Sequence, residues 1–340
     1  MRSAYLTEVR HFEVRQEGIP VLKDNEVLVK IAYCGICTLE QRLYTGERKI
    51  YYPIIPGHEA SGIVVTVGSE VITGVQVHDH VALDLVNRCH ACPACLSGNS
   101  NLCENRFKEG QRVLGAFSDY MVVKPDQLQV VPSDLPLESV AFAEPLACCI
   151  RSLRTVNASL GDTILISGVG TMGILHIKVA LAMGLRVIAC DIDLKRLEDA
   201  KRLGAIALDA SSAETCIATI QEITRGRGVD SCIITTSSMS AVEVAVAVLA
   251  SNGVMNIYTS YGNKPPLPLD MNTIHRHEFV VTGSEGRSEY DFYTATRVLA
   301  NRTIVVDDLI SQIYLLEEVS TAVEEALSGS SYRVLLKMEE

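Results

Sequence analysis

Residues Thr163–Asp191 read TILISGVGTMGILHIKVALAMGLRVIACD. The short apolar run Thr163–Ser167 leads into the turn Gly168-Val169-Gly170-Thr171-Met172-Gly173. The helix-period stretch Thr171–Met183 follows, then a second apolar run, Arg186–Cys190, that ends on an acid, Asp191. A G-x-G-x-x-G turn alone is a weak signal. Placed between a strand and a helix, with an acid closing the next strand, it is the pattern of a dinucleotide-binding βαβ unit. The glycines allow a tight turn, close approach of a pyrophosphate and close helix–strand packing. The helix N-terminus offers amide donors and a favourable dipole to the phosphates. Asp191 is placed to accept hydrogen bonds from ribose hydroxyls and to repel a 2′-phosphate, which favours NAD over NADP. Lys195 and Arg196, just beyond, are basic residues that could bind such a phosphate. A purely structural glycine turn is the competing reading.

Outward from this stretch the pattern continues in both directions. Val229–Thr235, Val254–Tyr258 and Phe279–Thr282 read as further buried strands, and Leu194–Leu203 and Ala241–Ala250 as helices. Strands alternating with helices of this length imply an α/β unit built on a doubly wound parallel sheet. Upstream the character differs. Ala4–Val9, Glu26–Ala32, Gly62–Val67, Val77–Leu83 and two runs between Ser118 and Val131 read as short strands broken by Gly and Pro turns. They predict a small, irregular, mostly antiparallel β domain over residues 1–150. Beyond Gly283, helices are expected at Asp291–Ala300 and Leu316–Leu327, and a last strand, Arg333–Met338, could return to the first domain. The expected division is 1–150 with 285–340, and 151–284. Two domains also suit a chain of 340 residues.

Composition narrows the function classes. Hydrophobic residues make up 48% and charged residues 21%, as in an ordinary well-packed soluble protein, and the net charge is −11. With no cluster of Lys and Arg, nucleic acid is not an expected partner. No apolar run of about 18 residues is present, so no membrane span is expected. The N-terminus carries charges where a signal peptide needs an apolar core. Eleven cysteines in such a chain point to a reducing compartment, the cytoplasm, with thiols buried or bound to metal.

The stretch Cys34–Gly62, CGICTLEQRLYTGERKIYYPIIPGHEASG, places Cys37 and the pair His58-Glu59 in turns rich in Gly and Pro. Thiolate, imidazole and carboxylate are the donors of a catalytic zinc, whose sites keep one position open. The competing reading is one buried cysteine and one histidine in a turn. Cys89, Cys92, Cys95 and Cys103 form a C-x2-C-x2-C-x7-C array. Four thiolates from one loop close a tetrahedral structural zinc site, although the first three spacings would also permit an iron–sulfur cluster. A disulfide pair is disfavoured by the compartment, and His90 is surplus to a full set of four. Glu144, in AFAEPLACC, is an acid among apolar neighbours and needs a cation or a proton. A zinc ion or zinc-bound water fits, and a salt bridge to Arg151 or Arg154 is the alternative. His78-Asp79-His80 reads as surface histidines in a turn before a strand. Cys148, Cys149, Cys190, Cys216 and Cys232 read as small core hydrophobes.

With Cys37, GHE, the four-cysteine loop, EPL and GVGTMG in this order, the chain resembles a zinc-containing medium-chain alcohol dehydrogenase over essentially its whole length. EPL around Glu144 is closer to the sorbitol (polyol) and threonine dehydrogenase branches. The resemblance implies a GroES-like catalytic domain, split in sequence by an inserted Rossmann domain, with the active site in the cleft between them. It implies two zinc ions per chain. Cys37 and His58 bind the catalytic one, and Glu59 and Glu144 bind it directly, exchange at it or hold its water. It also implies homodimers or homotetramers. One departure concerns the hydroxyl residue that relatives carry two positions after the cysteine. Here that position is Leu39, the hydroxyl belongs to Thr38, and the usual following Asp is Glu40. The expected reaction is oxidation of a secondary alcohol, a polyol or similar compound, with NAD. A proton relay would pass through Thr38, or through water and Glu144. Oxidation of a threonine-like amino alcohol and a non-catalytic nucleotide-binding homologue are the alternatives. Tyr44, Tyr52, Arg112 and Phe117 are candidates for the pocket wall.

Overall fold

The computed structural model describes residues 1–106, 114–262 and 269–338. Arg112 lies outside the described residues. The chain forms two compact units, Met1–Ala147 with Arg287–Glu340, and Cys148–Gly286.

The first unit opens with a hairpin, β1 (Arg2–Glu8) and β2 (His11–Gln16), followed by β3 (Val27–Ile36), α1 (Thr38–Thr45), β4 (Glu59–Val67) and β5 (His80–Asp84). The short helix α2 (Pro93–Leu96), inside the lobe formed by the four-cysteine loop, strands β6 (Tyr120–Val123) and β7 (Leu128–Val131) and helix α3 (Leu137–Val140) come next. Strand β2 went unread in the sequence because it is nearly all exposed and lacks an apolar face. Strand β5 starts later than the expected Val77, because the chain turns at His78, whose φ is 76°. The histidines thus sit in and just after a turn.

Helix α4 (Ala143–Thr155) leads into the second unit, which comprises β8 (Thr163–Ser167), α5 (Thr171–Ala182), β9 (Arg186–Asp191), α6 (Leu194–Leu203), β10 (Ile206–Asp209), α7 (Ala213–Ile223), β11 (Val229–Ile234), α8 (Met239–Val248), β12 (Leu249–Ile257), α9 (Met271–His277) and β13 (Val280–Gly283). All pairs are parallel, in the order β10-β9-β8-β11-β12-β13. That is a doubly wound sheet whose order reverses between β8 and β11, the place where such sheets bind ligands beyond the strand C-termini. Strands β8 and β11 are almost wholly buried, which is why they read as continuous apolar runs.

The chain then returns through α10 (Glu289–Ala300), β14 (Ile310–Leu315), α11 (Val319–Leu327) and β15 (Arg333–Lys337). Strand β15 lies between β14 and β3 in a sheet ordered β14-β15-β3-β4-β5-β7, with β6 also on β3. Its core gathers Val29, Ile31, Val64, Leu83, Phe117 and Leu336. Tyr44 and Phe117, read as pocket wall, are instead core residues. Tyr44 stacks on Phe12 at 5.6 Å, and Phe117 lies tilted against the same ring at 6.4 Å. Tyr52 packs against this core and donates its hydroxyl to the Leu43 carbonyl at 3.0 Å.

Candidate metal centres and dinucleotide turn

Cys37 is the N-cap of α1. Its sulfur accepts from the Leu39 amide at 3.1 Å, while Glu40, three positions on, accepts from the Cys37 amide at 3.1 Å. This is a capping box in which a thiol takes the hydroxyl's place. Glu40 is buried, and its other oxygen takes His58 Nδ1 at 2.8 Å and the Gly57 amide at 3.3 Å. The carboxylate can only accept from the ring, so Nδ1 carries a proton, and Nε2, once it gives up its own, is the nitrogen that can bind a metal. Nε2 faces Cys37 Sγ at 3.8 Å.

Glu59 is not in a turn, as the Gly and Pro residues around it suggested. It is the first residue of β4, opposite Gly35 of β3 on one side and Asp84 of β5 on the other. A Cβ at Gly35 would lie 2.2 Å from Glu59 Oε2, so the missing side chain is what gives the carboxylate its place. Arg333 from β15 reaches the other oxygen at 3.2 Å.

Donor atoms of Cys37, His58 and Glu59 all lie within 4.8 Å of one another. A tetrahedral zinc with one sulfur and one nitrogen ligand separates the two by about 3.6 Å, so the donors fit that ion. The surroundings are charged and largely buried. Burial, with Glu40 nearby, pushes the Cys37 thiol up to about 12. Burial also disfavours the His58 imidazolium, but Glu40 and Cys37 outweigh it and hold the ring well above its ordinary range. Burial raises Glu59 to about 7 against the pull of Arg333. A thiol, an imidazole and a buried carboxyl brought this close together make a donor set suited to a divalent cation.

Glu144, in the first turn of α4, lies 4.0 Å from His58 Nε2 but outside this set of three. Its cation is Arg287, which the sequence did not single out and which also binds Asp84 through Nε at 2.9 Å. Thr38 is exposed at the start of α1, and Leu39 packs against the core.

The sulfurs of Cys89, Cys92, Cys95 and Cys103 also lie within 4.8 Å of one another. Amides point at them: Cys92 N donates to Cys89 Sγ at 3.3 Å, and Cys89 N and Asn105 N donate to Cys103 Sγ at 3.4 Å each. Such donors stabilise thiolates, and the Cys89 thiol is lowered to about 6 chiefly by backbone hydrogen bonds. The arrangement fits a closed four-thiolate metal site. His90 stands outside it, half exposed, with Nε2 3.1 Å from Asp126. The other five cysteines named above are buried.

In the second unit the turn Gly168–Gly173 opens α5. Its N-cap, Gly170, places no side chain over the first-turn amides. A Cβ at Gly173 would lie 2.0 Å from the Gly168 carbonyl oxygen, so only glycine packs there. Asp191 ends β9. Oδ2 accepts from the Val169 amide at 2.6 Å, and Oδ1 accepts from Ile192 and Asp193 amides at 2.7 and 3.0 Å. The acid thus holds the glycine turn in place. Arg196 Nη1 lies 3.7 Å from the position a Gly170 Cβ would occupy, beside the same turn.

A β unit carrying this donor set, joined to a parallel sheet with this turn, defines a metal-binding, nicotinamide-linked oxidoreductase. Residues 23–133 match the model of the alcohol dehydrogenase GroES-like domain, and residues 168–301 match that of the zinc-binding dehydrogenase. D-Arabitol-phosphate dehydrogenase of Enterococcus avium is 32% identical over 325 residues, covering 94% of this chain and 92% of that protein. Sorbitol dehydrogenase of Bacillus subtilis is 30% identical, over 96% of this chain and 94% of its own length. The crystal structure of galactitol-1-phosphate dehydrogenase from Escherichia coli superposes with a TM-score of 0.88 at 30% identity, covering 99% and 100% of the two chains. The chain belongs to the zinc-binding alcohol dehydrogenase family and is similar to its polyol branches. Among the described residues no helix is long and apolar enough to cross a membrane.

Proposed function

We propose that this protein oxidises a secondary alcohol of a polyol, or of a related polyhydroxylated compound, to a ketone with NAD. The observation that carries the reading is the convergence of Cys37, His58 and Glu59, with His58 oriented by Glu40. When bound, zinc supplies a Lewis acid for the hydroxyl and the nicotinamide supplies a hydride acceptor at C4. Cys37 and His58 would hold the metal, and Glu59, paired with Arg333, would be available to it as a third ligand. Glu144 accepts the hydroxyl proton at a carboxylate oxygen, directly or through one water, and Arg287 fixes that carboxylate. Leu39 packs against the core, so it leaves this proton path to Glu144 or to Thr38.

Two zinc ions per chain are supported by the two separate donor sets. NAD is supported by Asp191, and Arg196 beside the glycine turn is the residue through which NADP would be accepted instead. Similarity to enzymes of free and phosphorylated polyols supports the substrate class. A homodimer or homotetramer is supported by the family resemblance and by β13, which ends its sheet among the described residues and exposes Val280 and Val281. Eleven cysteines without a disulfide suit the cytoplasm.

The test is reduction of NAD and of NADP by the zinc-replete protein with sorbitol, arabitol phosphate, simple secondary alcohols and threonine. Turnover is expected on polyols with NAD. Turnover confined to threonine would replace the substrate class, and nucleotide binding without any turnover would remove the enzymatic reading. Glu144→Ala should lose most turnover, by roughly a hundredfold or more for a general base, while the protein stays folded. Near-wild-type activity would remove Glu144 from the role.

A further inference from the structure

The residue immediately before the four-cysteine lobe is a buried arginine, Arg88. Its Nη1 pairs with Asp84 Oδ2 at 2.8 Å, and its Nη2 donates to the Arg287 carbonyl oxygen at 3.2 Å. Asp84 Oδ1 takes Nε and Nη2 of Arg287, each at 2.9 Å, and Arg287 Nη1 meets Glu144. Two arginines and two carboxylates therefore form a buried set with no formal net charge. It runs from the backbone next to Cys89 to a carboxylate 4.0 Å from His58 Nε2. Arg88 also has a longer charge contact towards the lobe, beyond hydrogen-bond distance. Its Nε lies 3.7 Å from Glu289 Oε1, and Glu289 Oε2 accepts from Ser100 Oγ, inside the lobe, at 2.8 Å.

A planar guanidinium held on several sides transmits direction, which a point charge does not. Breaking one link of a buried charge set leaves an uncompensated charge and displaces the rest. We propose that Arg88 is a positioning residue that couples the four-cysteine lobe to Glu144, so that closure of the lobe on its metal sets the orientation of that carboxylate at the Cys37–His58–Glu59 centre. The proposal rests on the role given to Glu144 above. It assigns the four-cysteine lobe a part in turnover in addition to its part in stability.

If Arg88 served only to neutralise Asp84, lysine would replace it. Arg88→Lys in the full-length, zinc-replete protein is expected to keep its metal content and its KM for the coenzyme while losing about tenfold in kcat, as outer-shell changes at metal sites do. A readout independent of turnover is the thiolate–cobalt absorption of the cobalt-substituted protein, taken as the difference from Cys37→Ser. That band should shift in Arg88→Lys, and shift further in Arg88→Met. Should Arg88→Met fail to fold, Arg88→Lys decides alone. Wild-type kcat with a wild-type cobalt spectrum in Arg88→Lys overturns the proposal, as does an effect confined to thermal stability. If wild-type protein shows no Cys37-dependent cobalt band, the metal reading of that centre falls, and this proposal falls with it.

Discussion

Arg333 and Glu59, 274 positions apart in sequence, form a 3.2 Å ion pair with side chains only 6% and 3% exposed. Arg333 is held in place by donating a second hydrogen bond to the Ile36 carbonyl at 2.9 Å. Removing the cation leaves the carboxylate buried without its ion-pair partner. The folded Glu59 carboxyl, at about 7, already lies above its unfolded value of 4.5. Such a group favours folding while protonated, and that contribution is lost as pH rises through the folded value. In metal-free Arg333→Met the folded value climbs further, so ionisation of Glu59 becomes costlier. The variant's stability deficit should be small below pH 7 and grow above it, towards about 3 kcal/mol. Urea unfolding across that range measures it, and a deficit that does not change with pH would mean that only packing was lost.

The glycine turn of the second unit separates two effects. Gly173→Ala puts a methyl group 2.0 Å from a backbone carbonyl, so α5 or β8 must move. It should cost about 1–3 kcal/mol in stability and abolish dinucleotide binding. At Gly170 the nearest obstacle to a Cβ is the flexible end of Arg196 at 3.7 Å. Gly170→Ala should therefore melt like the wild type yet bind the dinucleotide weakly. Calorimetric titration beside thermal melting distinguishes the two, and equal melting of both variants would show that the turn is laxer than its packing implies.

His176 is fully buried in α5. Nδ1 donates to the Met172 carbonyl at 2.7 Å, the ring meets Tyr258 edge-on at 4.7 Å, and Nε2 finds no hydrogen-bond partner among the described residues. Burial lowers its pKa to about 4, from 6.5. The unfolded chain takes up a proton below pH 6.5 that the folded ring refuses, so the stability this group lends is present above 6.5 and is lost as pH falls through about 4. The loss amounts to about 3 kcal/mol. His176→Leu should flatten the acid limb of the unfolding curve by that amount. An acid limb as steep as the wild type's would place the titration elsewhere.

Removal of one lobe thiol tests the second metal. Cys92→Ser should lower bound zinc by one ion per chain, because three thiolates leave the shell open. Elemental analysis of the purified variant reads this directly. Retention of two ions would argue that the lobe does not hold zinc.

What the sequence disclosed follows the range of the interactions. The four lobe cysteines lie within fifteen positions and the glycine turn spans six, so their spacing carries their geometry. The buried strands β8, β9 and β11 showed as apolar runs for the same local reason. Arg287 and Arg333 left no such trace. Each is an ordinary arginine until the sheet brings it to Glu144 or Glu59, and their distance in sequence hides the pairing. Glu40 stood in view as an acid after Cys37, but its hold on His58 depends on α1 turning back towards the Gly57 segment. Glu59 was misread as a turn residue because Pro56 and Gly57 lie just before it, whereas β4 begins there. Strands β2 and β14, which are largely exposed, offered no apolar alternation to read.

Strand β15 pairs with the end of β3, Leu336 opposite Cys34, and this imposes an order on assembly during translation. At roughly 10 residues per second, the ribosome delivers Leu336 about half a minute after Cys34. During that interval the strand leading into Cys37 lacks one neighbour, and Glu59 has no Arg333. The inserted unit Cys148–Gly286 is continuous and draws its whole sheet from its own residues, so it can fold first. The older half of the chain must wait for the younger, and a nascent chain stalled before Arg333 presents an unpaired apolar edge to whatever chaperone or neighbouring chain is at hand.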